Sequence, residues 1–136
     1  MPDESNINLS KYRLSSAKED YQAAYELVNN GHFRISNNRA YYTIFHCMRA
    51  VLAIEGIDFK KHSAVIAYFN QHYIKTGKFD NNLYRIIADA SYIRNESDYS
   101  DFYIASKEDS LKQLENAKFF LESVDRFLKN VYENLV

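Results

Sequence analysis

The chain has 136 residues, a formal net charge of −1 and a hydrophobic fraction of 46%. It contains 3 glycines, 1 proline and 1 cysteine, which are too few turn residues for a sheet-rich fold and too few cysteines for a disulfide scaffold. A chain of this size can bury one hydrophobic core, so the composition predicts a single all-α domain over residues 1–136.

The charge and the start of the chain bear on its location. A near-zero net charge gives no overall attraction to nucleic acid or membrane, and every apolar run is far shorter than the roughly 20 residues of a membrane span. Residues 1–4 are polar and acidic, unlike a signal peptide. The lone cysteine fits a reducing compartment. We therefore expect a soluble, cytoplasmic protein that does not bind membranes.

Five segments have the three-and-four spacing of apolar residues that predicts helices. They cover about residues 9–29, 35–55, 63–76 and 81–95, followed by a fifth that begins after Ser106 and keeps a heptad-like seam as far as Leu135. The second segment is apolar on nearly every side, which is typical of a central helix. The pattern predicts an up-and-down bundle of four to five helices.

Helix ends are marked by a few residues. Gly31, Gly56 and Gly77 each follow one of the first three patterns, where a left-handed cap requires glycine. Ser36 or Asn37 is expected to cap the second helix.

A polar stripe interrupts the second helix. Arg39, Thr43 and His46 fall within a narrow arc, with Arg49 at its edge. The stripe could face solvent or a partner subunit, or Arg39 and His46 could line a pocket within the bundle. A buried charge needs a partner, so the pocket interpretation predicts an acidic residue from the fourth or fifth helix.

Charge is unevenly distributed along the chain. Residues 60–78 contain four lysines and no acid, whereas residues 96–109 contain five acids and one lysine. Both could be solvated ends, or they could attract each other in a dimer. Lys60, Lys61 and His62 precede the third helix, where a helix N-terminus favours an anion such as phosphate.

The sequence lacks the residue patterns that a metal site would need. His46 and Cys47 are adjacent and point to different faces of the helix, and no paired spacing of zinc ligands occurs, so neither a metal nor a cofactor is expected.

The polar stretch at residues 92–99 could simply cap the fourth helix, with Arg94 favourable to its dipole.

Four segments in order resemble the HEPN family: residues 38–46 (NRAYYTIFH), 56–63 (GIDFKKHS), 75–77 (KTG) and 94–99 (RNESDY). The resemblance covers about residues 9–128. It implies an all-α bundle, usually a homodimer, and a small bacterial or archaeal protein commonly encoded beside a minimal nucleotidyltransferase. Such pairs often form toxin–antitoxin or defence modules, and many HEPN proteins are metal-independent ribonucleases.

The resemblance places the family's active-site arginine at Arg94 and the polar residue after it at Asn95. The family's histidine follows after four to six residues, but those positions here are Tyr99, Ser100 and Asp101. A tyrosine of ordinary pKa, about 10, is a poor general base at neutral pH. Tyr99 could be structural, or its hydroxyl could be modified by a partner.

We therefore expect a weakly or non-catalytic HEPN homodimer that binds nucleotide or RNA and serves a nucleotidyltransferase partner. The predicted ligand-binding residues are Arg94, Asn95, Asp98, Tyr99, Arg39, Lys61 and His62. The alternative is a ribonuclease toxin in which Arg94 stabilises the developing charge and His46 acts as the base. A third possibility is a helical dimer without a small ligand.

Overall fold

The computed structural model describes residues 2–134, which form five α-helices joined by short loops. The helices are α1 (Glu4–Asn29), α2 (Phe33–Ile54), α3 (His62–Phe69), α4 (Asn82–Tyr99) and α5 (Lys107–Glu133). One π-helical turn, Asn70–Ile74, continues α3. The all-α bundle is confirmed, while Leu135, the predicted end of the last seam, lies outside the described residues. Between residues 2 and 134, no helix is both long and apolar enough to cross a membrane.

Helix α2 is the centre of the bundle, as its apolar sequence predicted. Of its 22 residues 13 are buried, and the helix packs against α1, α3, α4 and α5. Met48, Val51 and Leu52 are each 0% exposed. Any side chain on α2 that is not in this core is therefore held in place by a fixed backbone.

The helix ends follow the glycine prediction. Gly31, Gly56 and Gly77 have φ values of +81°, +70° and +81°, in the region where a side chain clashes with the backbone. At the start of α5, the Ser106 hydroxyl accepts a hydrogen bond of 3.0 Å from the Asp109 amide. This cap satisfies one of the free N–H groups of the first turn.

Several predicted helix ends were wrong. Helix α1 begins at Glu4 instead of about residue 9, and the π-helical turn replaces the last part of the predicted third helix. Helix α2 begins at Phe33, and Ser36 and Asn37 are buried inside it instead of capping it. The Ser36 hydroxyl donates to the Ala24 carbonyl of α1, 2.9 Å away. Helix α4 continues about one turn beyond residue 95, and Arg34 of α2 donates to the Ser97 carbonyl in this last turn. This bond satisfies an acceptor that the end of a helix leaves free.

Candidate functional site

Arg94 lies where the last turns of α4 cross α2, and it rests on aromatic rings. Its Cζ atom is 4.8 Å from the centre of the Tyr41 ring and 5.7 Å from that of Tyr42. Nη2 donates a long hydrogen bond of 3.5 Å to the Tyr42 hydroxyl, and Nε is 3.5 Å from the Asp98 carboxylate one turn along. The guanidinium is thus held mainly by ring faces, which leaves N–H groups for a ligand.

His62, the first residue of α3, completes this surface. Its Nδ1 atom and the Tyr41 hydroxyl are hydrogen-bonded at 3.0 Å, and its ring stacks on Phe45 with 4.0 Å between centroids. Burial lowers the pKa of His62, and the positive charges of Arg94 and Arg49 lower it further. The imidazole is therefore neutral at pH 7. We call the surface formed by Arg94, Tyr41, Tyr42 and His62 the Arg94 groove.

The polar stripe of α2 faces α1. Arg39 Nη1 is 2.9 Å from the Asp20 carboxylate, and His46 Nε2 is 3.5 Å from the same group. The prediction of an acidic partner from the fourth or fifth helix was wrong. The partner is Asp20 of α1, which is the helix that packs most extensively along α2. Burial lowers the pKa of His46 despite the opposing effect of Asp20. The Tyr42 ring, 5.9 Å from that of His46, lies against both His46 and Arg94.

A second charged cluster centres on Asp58, in the loop before α3. Its Oδ2 accepts from Arg13 at 3.1 Å and from Arg49 at 3.0 Å. Its Oδ1 accepts from Arg49 at 3.3 Å and from the Phe59 amide at 2.9 Å. Burial tends to raise the pKa of Asp58, but the hydrogen bond from Arg49 and the two arginine charges outweigh it and lower the pKa. The carboxylate is therefore ionised and fully bonded.

Arg13 was missed from the sequence, although a signal was present. It stands four residues before Ala17, on the apolar face of α1, where its side chain is only 10% exposed. A buried arginine requires a partner. That partner, Asp58, is distant in sequence, and only the folded chain brings the two together.

An open cleft of about 290 Å³ adjoins the Arg94 groove at His62. Its lining residues are Phe45, Arg49, Asp58, Phe59, Lys60 and His62. We call it the Phe59 cleft. Lys61 directly precedes α3 and is not among these lining residues.

The predicted ligand residues are distributed unequally. Arg94 and His62 lie in the Arg94 groove, and Arg39 is close to it because its Cζ atom is 5.1 Å from the Tyr42 ring centre. Asn95 and Tyr99 are exposed on α4 outside the aromatic contact, with Tyr99 77% exposed.

The charge of this face differs from that of the whole chain. Five cationic side chains lie around the two surfaces with three carboxylates, an excess of two positive charges, whereas the whole chain carries −1. They are arginines 13, 39, 49 and 94 and Lys60, with aspartates 20, 58 and 98. Local charge of this kind attracts anions.

The fold and this surface define a helical bundle with an arginine–tyrosine–histidine groove between its central helix and α4. The HEPN domain family model matches residues 10–129, and the chain belongs to the HEPN family. This confirms the resemblance drawn from the four sequence segments.

Curated relatives include two proteins of Methanocaldococcus jannaschii that bear the name "Putative toxin". One is 30% identical over 87% of this chain and 82% of its own length, and the other is 30% identical over 87% of each. A UPF0332 protein of Thermotoga maritima is 28% identical over 89% of this chain and 92% of its own. The chain is thus similar, along most of its length, to proteins that bear the name "Putative toxin".

Proposed function

We propose that this chain binds the phosphate of a nucleotide or RNA at the Arg94 groove, as a weakly or non-catalytic HEPN protein. The observation that carries the proposal is the state of Arg94, which rests on the rings of Tyr41 and Tyr42 and makes two long polar contacts, 3.5 Å to the Tyr42 hydroxyl and 3.5 Å to the Asp98 carboxylate. An arginine with free N–H groups on a positively charged face is suited to a phosphate, which it can grip with two parallel bonds.

The proposal extends to the assembly. We infer a homodimer linked to a minimal nucleotidyltransferase in a toxin–antitoxin or defence module, which the names of the relatives support in part. The segment after α4 supports an interface, because Phe102 is 94% and Ile104 is 86% exposed beside Tyr99. Exposed apolar residues grouped in this way are typical of binding surfaces. Sedimentation of the purified chain, alone and with the product of the neighbouring gene, tests both associations.

The binding test compares two arginines of the same helix. Arg94→Ala should weaken the binding of a labelled single-stranded RNA at least tenfold, as expected for loss of a charge-assisted phosphate contact. Arg85→Ala is the matched control, since Arg85 is exposed on α4 and bonds only to Asn82 among the described residues. Equal affinity of the two variants in fluorescence anisotropy would overturn the proposal.

A metal-independent ribonuclease toxin is the second candidate, and the position of His62 favours it. A cleaving enzyme needs a base for the 2′-hydroxyl beside a cation for the developing charge. His62 is neutral and shares Tyr41 with Arg94, whereas the predicted base His46 contacts Asp20.

Cleavage of labelled RNA in the presence of a chelator tests this candidate. If the chain is a ribonuclease, Arg94→Ala should abolish cleavage, and comparing His46→Ala with His62→Ala identifies the base. Binding without cleavage by the wild type supports the non-catalytic proposal.

A further inference from the structure

We propose that the Phe59 cleft is a second nucleotide subsite, which takes the base and phosphate next to the phosphate held by Arg94 in a strand of single-stranded RNA. The inference rests on the proposed function of the Arg94 groove and extends it to residues of α2 and of the loop before α3. Three features of the cleft carry it: its free charges, its exposed ring and its position.

The free charges of the cleft are positive. Asp58, its one carboxylate, accepts two hydrogen bonds at each oxygen, so its lone pairs are occupied by Arg13, Arg49 and the Phe59 amide. It orients the arginines and is not available to a ligand. Arg49 gives its Nε and one Nη2 hydrogen to Asp58 and keeps its other N–H groups, and one carboxylate between two arginines leaves one positive charge in the cluster. Lys60 adds a second positive charge to the lining, and together they favour a phosphate.

Phe59 supplies a flat apolar surface at the same place. Phe59 is 37% exposed, unlike Phe45, which is 4% exposed and stacks on the His62 ring. One side of the Phe59 ring contacts Tyr68, with 5.7 Å between centroids, and its backbone is fixed by the bond to Asp58. An exposed ring beside cations is the combination with which proteins bind single-stranded nucleic acid, through base stacking and phosphate contacts.

The position of the cleft favours a strand over a free nucleotide. His62 lines the cleft and is also part of the Arg94 groove, its ring being 5.9 Å from those of Tyr41 and Tyr42. The cleft is open and, at about 290 Å³, lies at the small end of pockets that enclose a whole ligand, roughly 300–1,000 Å³. A strand that crosses Tyr41 and Tyr42 would contact both Arg94 in the groove and the cations of the cleft. A single nucleotide would contact only one of these two groups of cations.

The test measures the affinity of a labelled RNA hexamer for variants that keep Arg94. Phe59→Ala should weaken binding about tenfold, the scale of one lost stacking contact, and Phe59→Tyr should retain it. Phe119→Ala is the matched control, because Phe119 is 42% exposed on α5, outside both surfaces. Lys60→Ala should reduce the slope of log affinity against log salt by about 0.7. Lys118→Ala, which removes an exposed lysine of α5 outside the cleft, should leave the slope unchanged.

The outcomes separate this inference from the function on which it rests. If Arg94→Ala abolishes binding but Phe59→Ala and Lys60→Ala bind like wild type, the subsite is wrong and the Arg94 groove stands. If adenosine monophosphate binds as tightly as the hexamer, the site takes a free nucleotide and the proposal that a strand occupies both surfaces is wrong. If the wild type does not bind the hexamer, both proposals fail. Unchanged circular dichroism of each variant shows that the fold is intact.

Discussion

The Asp58 cluster is a contact whose removal should weaken the whole fold. In Asp58→Asn the side chain keeps its size but loses the charge that faces Arg13 and Arg49. One of the two acceptor oxygens becomes an NH2 donor, so the remaining neutral oxygen cannot satisfy all four donors, and the bond from Arg13 to the Arg49 carbonyl at 3.3 Å does not replace the lost charge. The Arg13 side chain is 10% exposed, so water replaces the lost carboxylate poorly.

The expected loss lies between two known limits. Breaking a fully buried ion pair costs about 3–5 kcal/mol, and breaking an exposed pair costs about 0.2–1 kcal/mol. Arg13 is near the first limit, but the Asp58 side chain is 47% exposed, so we expect the free energy of unfolding to fall by about 2 kcal/mol. For a chain of this size the melting temperature should fall by roughly 8 °C.

Urea and thermal unfolding followed by circular dichroism measure both quantities. The control is Asp125→Asn, which breaks the Lys18–Asp125 pair of 3.3 Å, where the two side chains are 53% and 45% exposed. It should change the free energy of unfolding by less than about 0.5 kcal/mol. If Asp58→Asn is no more destabilising than this control, burial of Arg13 does not determine the strength of the cluster.

The remaining predictions concern pH and a helix end. Lowering the pH from 7 to 5 should reduce the free energy of unfolding, because burial lowers the pKa of His46 and of His62 and the unfolded chain therefore takes up protons first, below about pH 6.5. A flat stability profile in urea over this range would contradict it. The pKa of Asp58 is lower in the folded chain than in the unfolded chain, so its carboxylate stabilises the fold above about pH 4. As the pH falls below about 4 the wild type should lose this stability, and Asp58→Asn should not show this loss. Gly31→Ala should cost about 1 kcal/mol in urea unfolding, since φ is +81° but the new Cβ would meet no atom within 4 Å; a loss of 3 kcal/mol or more would indicate a clash instead.

The sequence predicted the helices because their signals are local. The spacing of apolar residues and the cap at Ser106 depend only on neighbours within a turn or two, and the glycine at position 31 marks a left-handed residue whatever surrounds it. The start of α2 was missed for the opposite reason. Ser36 has the side chain of a cap, but packing against Ala24 of α1 gives its hydroxyl another partner.

The site was predicted less completely, because its contacts join distant parts of the chain. The motifs singled out Arg94 and His62, and the fold brings both to the ring of Tyr41. The partner of the α2 stripe, Asp20, could not be chosen from the sequence, because several acids occupy similar positions on neighbouring helices. Phe59 carried no signal as a binding residue, since an aromatic residue before a helix is more often part of the core.

The central position of α2 also predicts a difference in the hydrogen-exchange rates of the backbone amides on the two sides of the Arg94 groove. Tyr41 and Tyr42 belong to a helix covered by four others, so their amides should open only when the whole molecule unfolds. Arg94 lies near the end of α4, followed by a segment in which Phe102 is 94% exposed, and regions with few buried contacts open locally. Hydrogen exchange should therefore be slow on the α2 side of the groove and faster on the α4 side beyond the buried Ser97.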